Sequence, residues 1–437
     1  MSIEIFYILL VQQLGSYFVV LLGSGLFYFV AIRRLIWSAL DPLAIFFFFA
    51  AFAAAIPVFL YVQGLIETRY FVGFALSELS LLAGIWIGSG RRTKQKALSV
   101  AEQRPVIDAM QIKVLLLATL LLLLFAQTYQ LQVDGLAALK EHRLEAYFSD
   151  DPVSRAANKL INALRPIAFV VSLYALMVLR QIKWRLATIC NIAVVLLSYM
   201  MTGAKSSLLA PILLGYLFVR FLRASLSDSL VRMARRVALI SFCTAIGFSI
   251  LVVSLKVDRG FGSALLFLGA RLIQGGDAFI SAYPNEIVDQ VTPPSFIALL
   301  SSSLSSSIDG QPVLPIGQQI FYKANGFENL EAPNAWHSIV GYLMFDFPGQ
   351  LVFSLIIGLV MGGIRQVFTN THEKGVLTGV FMIPLVLSIC SLPQDPQLII
   401  GMLSGHIACW LMLAFLVYAI AKFAESTYEL TRIVPSQ

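Results

Sequence analysis

Long apolar runs alternate along the chain with short joints that carry most of its charge. Runs such as 43–62 and 237–255 are nearly free of charge over the length of a bilayer crossing, about 20 residues. Backbone N–H and C=O groups in hydrocarbon must pair within their own segment, and runs of this length do so only as helices. The period-two alternation of a membrane barrel is absent. The pattern predicts an all-α polytopic membrane protein. Helices fall near 5–30, 43–62, 71–89, 114–131, 166–179, 186–201, 207–221, 237–255, 350–364, 375–392 and 398–421, about eleven crossings. The first run has no Lys or Arg before it and is too long for a signal-peptide core, so it reads as a retained anchor.

Two polar segments are longer than a turn. Residues 132–165 form the smaller loop between helices of the 1–255 block. Residues 256–349 form a large loop, and 350–437 hold the last three helices and a tail. The large loop is broken by Pro284, Pro293, Pro294, Pro312, Pro315, Pro333 and Pro348. Its apolar stretches 264–273 and 296–304 are too short to span and predict interfacial or re-entrant helices. The serine-rich stretch 301–307 is interleaved with apolar residues and reads as ordered loop.

Composition supports the membrane reading. Of 437 residues, 58% are hydrophobic and 13% charged, against about 45–50% and about 25% in soluble domains. The net charge of +7 is not a nucleic-acid footprint, because the basic residues sit beside apolar helices. They gather at 33–34, 91–113, 180–185, 220–236, 365–374 and 422–432, whereas the short joints of the opposite face hold only Arg69 and Lys205. The positive-inside rule makes the basic face cytoplasmic. The N-terminus and both long loops are then outside and the C-terminus inside. Cys190, Cys243, Cys390 and Cys409 lie in apolar segments without metal-ligand spacing and read as buried thiols.

Candidate chemistry clusters in the outer segments. Lys256 and Arg259 lie three apart past the eighth helix, and Arg271 interrupts an apolar stretch, where a charge is costly without a partner or a task. Lys205 sits in a tight turn at 201–207, where snorkelling to the interface explains it equally well. Such cations suit a pyrophosphate. His337, in the segment Pro333-Asn334-Ala335-Trp336-His337-Ser338, has a side chain that titrates near neutrality. A helix after Pro333 would put Asn334 and His337 on one face. Asp277 follows two glycines, with pairing to Arg271 as the alternative to catalysis. Glu78, inside the third helix, must face protein or a water-filled cavity. The acidic-then-basic segment 134–165 reads as a solvated surface helix. No Walker loop, nucleophile elbow or HExxH motif is present, which argues against ATP-driven work and against serine or zinc hydrolysis.

Three local features resemble the Wzy-type polymerases of O-antigen and related polysaccharides. These are the turn Thr202-Gly203-Ala204-Lys205-Ser206-Ser207, the basic exit Lys256–Arg259 leading to Arg271, and Pro333–Ser338 followed by Gly341 and Gly349. Lys205 stands where arginine is more usual. The resemblance implies a GT-C-like fold in the bacterial inner membrane. It implies inverting transfer without metal or other cofactor, between donor and acceptor glycans on undecaprenyl pyrophosphate at the periplasmic face. It further implies His337 and Asp277 as catalytic groups, Lys205, Lys256, Arg259 and Arg271 on the pyrophosphate, and Asn334 and Trp336 on substrate. Partners would be membrane lipids and a chain-length regulator. The related O-antigen ligases, and a flippase for lipid-linked oligosaccharides, are the alternative readings.

Overall fold

The computed structural model describes residues 3–90, 108–135, 151–201, 209–223, 269–292, 315–326, 333–371 and 375–433, with scattered positions in 231–247 and at 295, 307–308 and 311–312. Helix 237–255, Lys205, Lys256, Arg259 and most of the apolar stretches 264–273 and 296–304 therefore lie outside the described residues.

The described chain is helical apart from a two-stranded antiparallel ladder. In order the helices are α1 (Ile3–Gln12), α2 (Leu14–Ile32), α3 (Pro42–Val62), α4 (Thr68–Gly88), α5 (Ala109–Val133), α6 (Pro152–Val178), α7 (Ile182–Met201) and α8 (Leu209–Phe221). A 3-10 turn (Gln274–Gly276), α9 (Asp277–Ala282) and a second 3-10 segment (Pro284–Gln290) follow, then β1 (Ser307–Ile308) and β2 (Gln311–Pro312). The chain ends with α10 (Ile316–Asn325), α11 (His337–Asn370), α12 (Val376–Ile389) and α13 (Pro396–Ile433). Among the described residues eight helices are long and apolar enough to cross a membrane, namely α2–α7, α11 and α13, while α1, α8 and α12 are shorter apolar helices. The protein is a multi-pass membrane protein.

Several boundaries differ from the sequence expectation. The run at 5–30 is two helices, interrupted at Gln13 (φ −115°, ψ 31°). The helix expected at 166 begins at Pro152, capped by Asp151, whose carboxylate accepts from the Val153 and Ser154 amides. The helix expected at 350 begins at 347, and a separate short helical arm, 337–345, precedes it across a kink at Asp346. The stretch 134–165 is not a solvated surface helix throughout, because Ser154, Asn158 and Arg165 are buried.

The chain divides into two compact units. The first comprises Met1–Leu98, Arg232–Thr371 and Val386–Gly401. Its central element is α3, which is apolar on all sides and buries Phe47, Ala50, Ala53, Ile56 and Phe59, as expected of a helix surrounded by protein. Phe6 of α1 and Tyr17 of α2 meet Phe59 edge-on. Helices α4 and α11 pack backbone to backbone through glycines. A Cβ on Gly84 would lie 2.3 Å from the Leu355 carbonyl, and one on Gly88 2.4 Å from that of Leu359. A Cβ on Gly358 would lie 2.1 Å from the Leu81 carbonyl, and one on Gly362 2.4 Å from that of Ile85. Small residues four apart on both helices permit this approach. Gly73 meets Gln350, Gly84 meets Gly358 and Gly88 meets Gly362, so α4 and the long arm of α11 run parallel.

At the Gly88 end of that seam, Arg365 of α11 makes a bidentate pair with Asp41, at 2.7 and 2.8 Å. Asp41 also caps α3 at the Leu43 amide. Arg365 lies 4.1 Å over the Trp37 ring. The pair is buried and fixes the α2–α3 joint to α11, so Arg365 is not the free loop charge that its position in sequence suggests.

The second unit comprises Ser99–Val231, His372–Leu385 and Met402–Gln437. In its core Tyr174 packs edge-on against Phe218, and Asn191 Nδ2 donates to the Ser172 hydroxyl at 3.0 Å.

Candidate functional site

Helix α11 is two arms. Asp346 takes φ 57°, ψ −171°, a backbone region costly for a residue with a side chain, and Pro348 follows. The chain folds back there, since Gly341 packs against Gln350 and the His337 ring meets Ser354. The arm 337–345 therefore runs antiparallel to 347–370. Its tip reaches Glu78, near the middle of α4, about 15 Å from Thr68 at 1.5 Å per residue. A re-entrant reversal therefore lies here, while the apolar stretches expected to re-enter lie mostly outside the described residues.

Four side chains form a buried line at this tip. Tyr28 Oη donates to Glu78 Oε2 at 2.8 Å. Glu78 Oε1 lies 3.2 Å from His337 Nε2, and His337 Nδ1 lies 2.8 Å from Ser354 Oγ. Ser354 spends its proton on the Gln350 carbonyl at 2.9 Å, so Nδ1 is the donor to Ser354. Nε2 is left facing the Glu78 carboxyl. The His337 amide donates to the Pro393 carbonyl at 2.8 Å. His337 is 0% exposed and both ring nitrogens are engaged. The histidine expected to face an outer cavity as base is thus engaged on both sides and anchors the re-entrant arm. Trp336 is engaged likewise. Its Nε1 donates to the Gly275 carbonyl at 2.7 Å, and its ring packs on Phe46 and Phe279, so it presents no free face to a sugar. Asn334 precedes α11 rather than sharing its face with His337.

Arg271 and Asp277 come together beside α1. Tyr7 Oη donates to the Ala270 carbonyl at 3.3 Å, and Gly276 lies against Ala53 and Ile56 of α3. The Asp277 carboxyl is half-buried with Oδ1 unpartnered. Burial pushes its pKa up to about 7, with the Arg271 guanidinium acting against that rise. Arg271 is exposed. This is a cation beside a carboxyl that titrates near neutrality, the combination needed to hold an anion and to move a proton.

A third cluster caps the Thr68 end of α4. Arg69 pairs with Glu67 at 2.7 Å, Asp289 at 3.0 Å and Glu286 at 3.2 Å. Asp289 accepts from the Tyr70 and Tyr342 hydroxyls, each at 2.8 Å. Asn285 and Glu286 adopt left-handed backbone, φ 58° and 56°, which the cluster holds in place. Hydrogen bonding with Glu67, first among its causes, raises the Glu286 carboxyl.

Of the residues singled out in sequence, Arg271 and Asp277 stand together, and His337 and Trp336 are structural neighbours of that pair through Gly275. The partners Tyr28 and Ser354 were not legible, because a lone tyrosine or serine in an apolar helix carries no signal. The glycine seam did carry one: Gly84 and Gly88, and Gly358 and Gly362, have the four-residue spacing of close helix pairs.

No protein-family model, curated protein or solved structure matches the chain. Fold and site together define an all-helical, multi-pass membrane protein with a polar centre.

Proposed function

We propose that the protein is an inverting glycosyltransferase that polymerises undecaprenyl-pyrophosphate-linked repeat units into a surface polysaccharide of O-antigen type. The observation that carries this reading is the exposed Arg271 beside the half-buried Asp277. Asp277 takes the proton from the acceptor hydroxyl. The acceptor oxygen bonds to the anomeric carbon of the donor from the face opposite the leaving group. The anomeric carbon–oxygen bond to pyrophosphate breaks, and Arg271 stabilises the charge that develops on the departing group. The leaving group is already activated, so the reaction is downhill without ATP. His337, with Glu78, positions the arm that carries Trp336 against Gly275, and so sets the 274–277 turn on which Asp277 stands. The transfer would take place at the periplasmic face of the inner membrane.

A lipopolysaccharide gel of a strain lacking the protein tests the reading. Polymerase loss leaves core plus one repeat and no ladder, and Arg271→Ala and Asp277→Asn should reproduce that band. Bare core would overturn the proposal. Polymer accumulating on the carrier lipid would then indicate a ligase, and its absence a flippase.

A further inference from the structure

We infer that the re-entrant arm 337–345 is held at its Asp346 end by a pH-sensitive latch, in which Glu67 and Glu286 share Arg69 while Asp289 clasps the arm. The inference stands independently of the polymerase reading. Three carboxyls meet one guanidinium at the Thr68 end of α4. Arg69 pairs with Glu67, Asp289 and Glu286 at 2.7, 3.0 and 3.2 Å. Like charges this close raise each other's affinity for a proton, so protonation relieves the cluster and ionisation loads it. The Glu286 carboxyl is raised above the usual range, first by hydrogen bonding with Glu67 and then by the Glu67 charge, with Arg69 acting against the rise. The folded state therefore holds this proton more tightly than an unfolded chain, where glutamate titrates near about 4.3. The hold that results is complete below that value and is lost as pH rises through the raised one.

Asp289 transmits the change to the arm. Its two carboxylate oxygens accept from Tyr70 of α4 and from Tyr342 of the arm, each at 2.8 Å. Tyr70 also stacks on Tyr283, the residue before the 284–290 segment. That segment thereby ties α4 to the arm. Both ends of the tie are strained. Among the described residues three non-glycine positions have positive φ, namely Asn285 (58°), Glu286 (56°) and Asp346 (57°). The first two lie in the segment, and the third turns the chain out of the arm. Such backbone persists only where surrounding contacts hold it, and it clusters at switch elements. When the carboxylates repel, the turn at 285–286 relaxes, Asp289 leaves Tyr342, and the arm is free to pivot at Asp346. Asp346 itself bears electrostatically on Tyr342. Helices α9 and α10 also pack on the segment. Their ionisable groups are Asp277, governed by burial and Arg271, and the exposed Tyr322 and Lys323.

The test is hydrogen–deuterium exchange of the full-length protein in detergent, in an Asp277→Asn background that removes the other carboxyl with a raised pKa in this unit. The readout is protection of residues 338–345, corrected for the intrinsic exchange rate at each pH. Protection should fall about threefold or more between about pH 5 and about pH 8, while that of α3 stays level. At the upper pH, Glu286→Gln keeps the shape of the side chain without its charge. It should restore the lost protection and flatten the pH dependence, and Glu67→Gln should act in the same direction. Both positions are exposed, so these variants fold even where Arg69→Gln does not. An arm whose protection is the same at both pH values, or a Glu286→Gln arm that exchanges as fast as the parent's or faster, would overturn the inference. A loss shared equally by α3 would mark global unfolding and overturn it too.

Discussion

Burial pushes the Asp277 carboxyl up to about 7 against the pull of Arg271, whereas an aspartate in an unfolded chain titrates near 3.9. The folded state therefore holds the proton more tightly. The stability this contributes is complete below about pH 4 and is lost as pH rises through about 7, where the fold must carry a half-buried carboxylate. The midpoint of thermal unfolding in detergent should fall across that window, and Asp277→Asn should flatten the fall. A variant that melts with the parent's pH dependence would place the titration elsewhere. If Asp277 is also the base, polymer synthesis rises with pH over the same range. Sequence alone picked out Arg271 because a charge in an apolar stretch is conspicuous, and Asp277 because it follows two glycines. It did not reveal the buried setting of His337, because residue type carries no record of what the ring meets in the fold. Whether a histidine faces substrate or a buried carboxylate depends on a partner 259 residues away.

Among the elements, the α4–α11 seam has the least slack. Gly84 touches the backbone of α11, not a movable side chain, so no rotamer change can make room for a methyl group. Gly84→Ile should separate the helices at a cost above the ~1–3 kcal/mol of ordinary overpacking. The protein should then aggregate on size-exclusion chromatography, whereas Gly25→Ile, with open space around its α-carbon, should elute as the parent does. Equal behaviour of the two variants would show that the seam does not hold the fold. Helix existence was legible from the apolar runs, but starts were not. Helix α6 opens with Arg155 and Lys159 and α11 with a histidine, and hydropathy penalises both even though the backbone there is helical. The reversal at Asp346 was hidden for a related reason: a short amphipathic arm and the span after it read as loop and helix.

For the molecule as a whole, the asymmetry of basic residues predicts which ends face which compartment. A cysteine placed at Glu286 should react with a membrane-impermeant maleimide in cells with a permeable outer membrane. One at Thr371 should react only after the inner membrane is opened. The reverse pattern would invert the topology. Multi-pass architecture was legible because lipid forbids almost everything except helices, whereas the division into two compact units was not, since each unit gathers segments distant in sequence. That scattering bears on how the chain is made. Glu78 leaves the ribosome 259 residues before His337, about 13–50 s earlier at 5–20 residues per second. Tyr28, 50 residues upstream, has already been synthesised and can receive the carboxyl at once. Through most of translation the tyrosine is thus the sole protein companion of an acid in the middle of a nascent span. The arm that completes the pair arrives only when the chain is about three-quarters made, with α12 and α13 still to follow, so the carboxyl waits for its histidine through most of synthesis.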